Sequence, residues 1–246
     1  MAYTSFAAYY DRLTGEIDYR RRARYFDSLI RRRLPVDEST ILLDLACGTG
    51  SLSREFARLG YDVIGVDGSE EMLSEAFCKN AGGRVLYLCQ DLCALDLYGT
   101  VDVTVCALDS LNHLTELETL ERAVGRVSLF TAPGGLFLFD VNTPYKHREV
   151  LGQNTFVYDL DDLFCVWQNA TDEHLLTEIT LDFFVRRGKT YTRESERFFE
   201  RGYTRRELEG VLERAGFTLL AVYAGDTEEP LGETDQRAVY LAQKTN

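Results

Sequence analysis

Between residues 41 and 141 the chain alternates short apolar runs with amphipathic stretches, and this alternation restricts the fold more than any other feature. Apolar strands separated by helical patterns are typical of a parallel sheet that helices cover on both faces. The predicted strands are residues 41–46, 62–67, 85–90, 101–108 and 135–141, and the predicted helices are residues 50–59, 69–79 and 115–130. We therefore expect an α/β fold with a mostly parallel sheet.

A different pattern extends from residue 155 to residue 203. Thr177, Ile179 and Leu181 alternate with polar residues, which indicates strands that bury one face. Residues 187–189 are suited to a hairpin turn. We expect an inserted antiparallel sheet of three or four strands.

The last 43 residues return to the first pattern. Thr204 and Glu207 have the spacing of a capping box, which predicts a helix over residues 205–215. Two apolar runs, residues 217–224 and 237–243, predict a final pair of strands. Together with the five earlier strands they would make a sheet of seven.

The net charge is -13, from 40 acidic and 27 basic side chains. This excess of negative charge argues against a broad nucleic-acid surface, because phosphate binding requires clustered basic residues. Seven arginines nevertheless crowd the predicted helix over residues 19–34. They form either a solvated helix face or a site for an anionic ligand.

The six cysteines lack the paired spacing of zinc ligands, and we expect neither disulfides nor a bound metal. Most of them lie in apolar runs or helical patterns, which favours buried free thiols in a reducing compartment. Residues 1–13 lack the basic start and apolar core of a signal peptide. No apolar run approaches the roughly 20 residues that span a membrane. We therefore expect a soluble, cytoplasmic protein.

The segment from Asp44 to Gly50 lies where the first strand turns into the first helix. Gly48 and Gly50 allow the backbone to approach a ligand closely, and the helix N-terminus offers unpaired N–H groups. Dinucleotide-binding folds have a similar turn, and Asp44 is the residue that distinguishes a dinucleotide site from a site for another ligand. A carboxylate there would repel the pyrophosphate of NAD or FAD. It suits a ligand with an ammonium group and no phosphate, such as S-adenosylmethionine.

Two further acidic residues follow strands of the same predicted sheet. Asp67 ends the second strand, where an acid can bind both hydroxyls of a ribose. Asp91 follows the third strand, within reach of an adenine amino group. Each residue alone could be a helix cap or a turn residue. Because carboxyl ends of parallel strands meet at one edge, their joint placement beside the glycine turn favours a single ligand site.

These residues resemble those of the class I S-adenosylmethionine-dependent methyltransferases. The resemblance covers most of the chain and rests on residues 44–50, Asp67, Asp91 and the segment 108–113 after the fourth strand. Ala46 stands where many members have the first glycine. The family implies a Rossmann-like, seven-stranded, mostly parallel sheet and S-adenosylmethionine as cofactor. The implied cofactor-binding residues are Tyr10, Asp44, Ala46, Gly48, Gly50, Asp67, Gly68, Met72, Asp91 and Leu92.

Two other segments resemble one bacterial branch of this family. The first is the N-terminal segment, which resembles the segment that closes over the cofactor in that branch. It contains Phe6, Tyr9, Tyr10, Asp11 and Leu13. The predicted inserted sheet resembles the small sheet of amino-sugar N-methyltransferases, which implies a small-molecule acceptor. The implied organisation is a helical lid at residues 1–34, an α/β core at 35–148, the inserted sheet at 149–203 and a C-terminal completion of the core sheet at 204–246.

Methyl transfer from a sulfonium mainly requires a positioned acceptor and exclusion of water, and a general base can assist an amine acceptor. His113 is the preferred candidate for this base, with a structural role in its turn as the alternative. His147 is the second candidate, and His174 is expected on a surface strand. The candidate substrate contacts are Asp109, Asn112, Tyr145 and Trp167.

The preferred function is methyl transfer from S-adenosylmethionine to a small-molecule acceptor, with an amine as one candidate. We expect neither nucleic acid nor a membrane as partner. A module that binds the cofactor without turnover is the first alternative. A nicotinamide-dependent oxidoreductase is the second, and Asp44 disfavours it. The sequence leaves both a monomer and a homodimer open.

Overall fold

The computed structural model describes residues 7–80 and 83–245. Two helices, α1 (Ala7–Leu13) and α2 (Tyr19–Arg31), come first. The alternating region consists of β1 (Ile41–Leu45), α3 (Ser51–Arg58), β2 (Asp62–Asp67), α4 (Glu70–Lys79), β3 (Leu86–Cys89), β4 (Val101–Cys106), α5 (Leu117–Phe130) and β5 (Thr131–Asn142). The order agrees with the predicted one, although β5 begins earlier than expected because α5 leads directly into it.

One sheet contains seven strands in the order β10-β11-β5-β4-β1-β2-β3, where β10 is Phe217–Ala224 and β11 is Arg237–Lys244. Strands β1 to β5 pair in parallel, and β11 is antiparallel to both β5 and β10. The strand order reverses between β1 and β4, and ligands usually bind in the crevice outside the carboxyl ends of such strands. The predicted Rossmann-like, seven-stranded sheet is confirmed.

A second, antiparallel sheet is inserted between β5 and α6 (Arg205–Arg214). Its strands, in the order in which they pair, are β6 (Thr155–Leu160), β7 (Leu163–Thr171), β8 (Leu176–Arg187) and β9 (Thr190–Arg201). The turn between β8 and β9 contains Gly188 with φ +67°, and the capping box of Thr204 and Glu207 begins α6. The predicted inserted sheet is confirmed.

Helices bury both faces of the seven-stranded sheet. Leu120 of α5 and Leu208 of α6 belong to the apolar cluster on one face. Phe26 of α2 and Phe56 of α3 belong to the cluster on the other face. Within the predicted lid the two helices therefore differ, because α2 is part of this core while α1 packs through Tyr9 against the inserted sheet.

Two expectations about exposure need correction. All six cysteines are free thiols, but Cys78 and Cys89 are exposed because they lie on the outer face of α4 and at the end of the edge strand β3. Arg22 is 6% exposed, so the arginines of α2 do not form one uniformly solvated face. In the part of the chain that the structure describes, no helix is both long and apolar enough to cross a membrane.

Candidate active site

The glycine turn between β1 and α3 contains three residues with left-handed backbone. Ala46, Gly48 and Gly50 have φ values of +57°, +53° and +70°. Glycine adopts such values without strain, whereas alanine incurs a steric penalty. At Gly50 an added Cβ atom would also collide with the hydroxyl of Tyr87. The path of the backbone across the end of β1 therefore depends on glycine at this position.

Asp44 lies in β1 below this turn and is 2% exposed. Its carboxylate accepts a hydrogen bond from Ser53 Oγ. Burial raises the pKa of Asp44 to about 7. A buried acid of this kind is favoured in its ionised form when a ligand supplies positive charge. The ammonium group of S-adenosylmethionine fits this requirement, whereas a pyrophosphate does not.

Asp67 at the end of β2 is tied to the same turn. Its carboxylate accepts hydrogen bonds from the backbone N–H groups of Gly48 at 2.8 Å and Ser69 at 2.9 Å. Burial raises the pKa of Asp67, although both hydrogen bonds favour its ionised form. Asp91 is exposed after the edge strand β3 and accepts a hydrogen bond from the backbone N–H of Cys93 at 2.7 Å. The structure thus brings Asp44 and Asp67 together and places Asp91 at the rim.

The other cofactor residues predicted after β2 differ in exposure. Gly68 is exposed and Leu92 is half-buried. Met72 of α4 is 3% exposed and packs against the apolar face of the inserted sheet. Met72 therefore connects the predicted cofactor side with the inserted sheet.

Helix α1 lies over the glycine turn. Asp11 accepts a hydrogen bond from Thr49 Oγ1 at 2.7 Å and forms an ion pair with Lys79 of α4. Tyr10 and Asp44 line a common cavity of about 40 Å³ under this helix. This volume is smaller than the roughly 300–1,000 Å³ of typical ligand pockets. Phe6 lies outside the described residues.

The turn after β4 forms a second wall of this cavity through Leu108. Asp109, the next residue, forms an ion pair with Arg237 at 2.7 Å and accepts a hydrogen bond from Asn142 Nδ2 at 2.9 Å. Burial opposes ionisation of Asp109, but Arg237 and Lys146 hold its pKa well below the usual range. Asp109 is therefore a paired, ionised carboxylate beside the crevice.

His113 lies in a short 3₁₀ turn after Asp109 and touches the inserted sheet. Its Nε2 atom is 3.8 Å from Glu200 Oε1, and its ring centroid is 5.3 Å from that of Phe198. Burial lowers the pKa of His113, although Asp109 opposes this effect. Since Phe198 and Glu200 both belong to β9, the inserted sheet forms a third wall of the site at His113.

Glu200 is a candidate functional residue that the sequence analysis missed. It is 5% exposed and accepts a hydrogen bond from Asn142 Nδ2 at 3.3 Å. Burial, together with the charge of Asp109, raises the pKa of Glu200 to about 8. The period-two pattern contained a signal for it, because Glu200 shares the face of β9 with Phe198 and pairs with the buried Thr177 of β8.

Asn112 and His147 are placed inside the protein. The Asn112 amide donates to the carbonyl oxygen of Arg201 at 2.7 Å and accepts from the backbone N–H of Asn142 at 2.9 Å. His147 is fully buried and its Nδ1 atom lies 2.7 Å from Thr177 Oγ1. Burial lowers the pKa of His147 to about 4. Both side chains connect the core to the inserted sheet, and their roles as a substrate contact and as a second base stay predictions.

The remaining predicted substrate residues are partly accessible. Tyr145 is half-buried at the start of a π-helical turn, Lys146–Leu151. Trp167 is half-buried, donates to Asn169 Oδ1 at 2.6 Å and stacks on Tyr158. Trp167 lies on the same side of the inserted sheet as the buried Leu181, with which it is paired. His174 is exposed as expected, but it lies in the turn between β7 and β8 and not on a strand.

The fold and this crevice define a class I S-adenosylmethionine-dependent methyltransferase, and comparison with known proteins agrees. Residues 42–135 match the family model of the methyltransferase domain. The chain is 34% identical over 248 residues to the putative methyltransferase YqeM of Bacillus subtilis (strain 168), covering 100% of this chain and 98% of that protein. The chain belongs to the S-adenosylmethionine-dependent methyltransferases.

Two solved structures are similar over nearly the whole chain. An S-adenosylmethionine-dependent methyltransferase from Clostridium acetobutylicum ATCC 824 is 31% identical, with a TM-score of 0.89 and 99% coverage of both chains. CalS10, an amino pentose methyltransferase from Micromonospora echinaspora with S-adenosylmethionine bound, has a TM-score of 0.76 and 22% identity, over 100% of this chain and 98% of CalS10. The cofactor of this chain is S-adenosylmethionine.

Proposed function

We propose that this methyltransferase transfers the methyl group of S-adenosylmethionine to an amine nitrogen of a small molecule. The acceptor would bind between the turn after β4 and the face of β9 that carries Phe198 and Glu200. The observation that supports this proposal is the buried carboxyl group of Glu200 beside His113, since the two groups lie after β4 and on β9 and not in the glycine turn.

The chemistry of an amine acceptor fits these two side chains. An ammonium group has to lose a proton before its nitrogen can attack the methyl carbon, and the neutral imidazole of His113 can accept that proton. Glu200 can do so only above about pH 8, because its pKa is raised to about that value. Burial keeps His113 neutral to lower pH than usual. In that attack the nitrogen–carbon bond would form as the carbon–sulfur bond breaks, so S-adenosylhomocysteine would leave and the methylated amine would carry the positive charge.

Three other features support a small, cationic acceptor. The net charge of -13 attracts cations and repels nucleic acid. The aromatic rings of Phe198 and Trp167 on the inserted sheet offer surfaces for a small molecule. CalS10, which shares the fold, is an amino pentose methyltransferase. We infer that the enzyme acts on a metabolite in the cytoplasm.

A transfer assay with methyl-labelled S-adenosylmethionine and a deproteinised metabolite extract tests this proposal. We expect a labelled product that a cation exchanger retains and that elutes apart from the cationic donor, and we expect none with heat-inactivated protein. A labelled product that is neutral or acidic would contradict an amine acceptor. Cofactor binding without any labelled product would instead favour a module that binds the cofactor without turnover.

A further inference from the structure

The turn after β4 has an unusual backbone that nothing in its own sequence explains. Leu108 and Asp109 are consecutive residues with φ values of +61° and +54°. Left-handed backbone is costly for residues with a Cβ atom, and a leucine has no side-chain hydrogen bond to offset that cost. Such strain persists where surrounding groups hold the backbone, and it is concentrated at functional sites.

One carboxylate binds both amides of this turn. Asp140 in β5 is fully buried, and its oxygens accept hydrogen bonds from the backbone N–H groups of Leu108 at 2.8 Å and Asp109 at 3.1 Å. Successive N–H groups that point the same way form a concave site for an anion. In this protein the side chain of Asp140 is that anion.

Two arginines keep this carboxylate charged. Arg22 of α2 contacts Asp140 at 2.8 Å, and Arg237 of β11 forms ion pairs with both Asp140 and Asp109. Although burial opposes ionisation, the two guanidinium groups hold the pKa of Asp140 below its ordinary value. Arg22 is thus one member of the arginine-rich helix with a defined partner in the core.

The turn is also a wall of the cofactor crevice. Leu108 lines the same cavity as Asp44 and Ala46, on the opposite side of the strand-order reversal between β1 and β4. We propose that Asp140, which Arg22 and Arg237 keep ionised, is a positioning residue. It holds the Leu108–Asp109 turn in the shape required for cofactor binding. This proposal requires that the protein binds S-adenosylmethionine, and it does not depend on which acceptor is methylated.

A double-mutant cycle between Asp140 and Leu108 tests the proposal. Asp140→Asn should weaken the binding of S-adenosylhomocysteine about tenfold in isothermal titration calorimetry, because the turn loses its anchor. Glycine tolerates left-handed backbone without an anchor. In the Leu108→Gly background, Asp140→Asn should therefore weaken binding by about threefold or less. Equal losses in both backgrounds would show that Asp140 acts without the turn, and they would contradict the proposal.

A control variant separates positioning from general stability. Glu207→Ala removes the side chain that completes the capping box of α6 and pairs with Arg201, and neither contact involves Leu108, Asp109 or Asp140. We expect it to lower the free energy of unfolding while the affinity for S-adenosylhomocysteine stays unchanged. A loss of affinity like that of Asp140→Asn would mean that any destabilised variant binds poorly, which would also contradict the proposal.

A measurement on the unmodified protein covers the case in which Asp140→Asn does not fold. If Asp140 holds the turn, the amide protons of Leu108 and Asp109 should be protected from hydrogen exchange without any ligand. Adding S-adenosylhomocysteine should change their protection by less than about threefold relative to other core amides. Amides that become protected only when the ligand binds would show that the ligand, and not Asp140, orders the turn.

Discussion

The glycine-turn side of the crevice is shaped by backbone, whereas the side formed by the inserted sheet is made of side chains. At the turn, Gly48 and Gly50 adopt left-handed backbone, and Gly48 N–H binds Asp67. On the other side, Phe198 and Glu200 reach His113 from a strand that lies far along the chain. Backbone geometry suits a ligand that stays the same throughout a family. Side chains can be exchanged singly, which suits an acceptor that differs between members.

The largest expected effect is on the backbone side. Gly50→Ala should lower the free energy of unfolding by about 3 kcal/mol, because the strain of a positive φ adds to the collision with Tyr87. Urea denaturation measures this loss. Gly188→Ala is the control, since Gly188 has φ +67° and open space around its added Cβ atom. It should cost only about 1–2 kcal/mol. Equal losses would mean that Tyr87 moves aside without cost.

The next largest expected effect is at Asp67, whose carboxylate is hydrogen-bonded to the glycine turn. Asp67→Ala should weaken S-adenosylhomocysteine binding about 100-fold, since hydrogen bonds to a charged group contribute roughly 1.5–3 kcal/mol each. Isothermal titration calorimetry gives the dissociation constant. Asp62→Ala is a matched control, because Asp62 is the exposed first residue of the same strand, and it should leave binding unchanged. Unaltered affinity of Asp67→Ala would remove Asp67 from the cofactor site.

The backbone side was largely predictable because its information is local. Asp44, Gly48 and Gly50 are close neighbours in the sequence, and the strand pattern alone places Asp67 at the same edge. The fold followed from the same patterns, since apolar runs of strand length and a period-two segment determine which faces are buried.

The side formed by side chains was predictable only in part. His113 follows β4 and was identified, but its contact with Glu200 depends on how the inserted sheet packs against the core. The same packing buries Asn112 and His147, which sequence reasoning had offered as a substrate contact and as a second base. No local pattern specifies that contact between two sheets, so the placement of these three side chains required the structure.

The titration of Glu200 tests whether this side of the site is buried as described. The pKa of Glu200 rises from 4.5 to about 8 on folding, mainly through burial. The folded protein therefore binds this proton more tightly than the unfolded chain, and the contribution to stability is lost as pH rises between these values. Glu200→Gln removes this loss. We compare the free energy of unfolding of the Glu200→Gln variant with that of the unmodified protein. The difference, variant minus unmodified, should increase by on the order of 2 kcal/mol between pH 5 and pH 8.

Urea denaturation at the two pH values measures this change. Glu196→Gln is the control, because Glu196 lies on the same face of β9 and pairs with Leu181 of β8. Its effect should be much smaller than that of Glu200→Gln. A pH-independent difference between Glu200→Gln and the unmodified protein would show that Glu200 is solvated rather than buried against Asn142 and His113.

The smallest expected effect is in helix α1, which contacts both sides of the crevice. Helix α1 is held to the glycine turn by Asp11 and to the inserted sheet by an ion pair between Arg12 and Asp162. Asp11→Ala should make S-adenosylhomocysteine dissociate about threefold faster, since partly exposed contacts of this kind contribute less than about 1 kcal/mol. Arg12→Ala should leave that rate unchanged in stopped-flow displacement. Equal acceleration by both variants would show that α1 closes over the crevice as one unit and that the two sides are coupled through it.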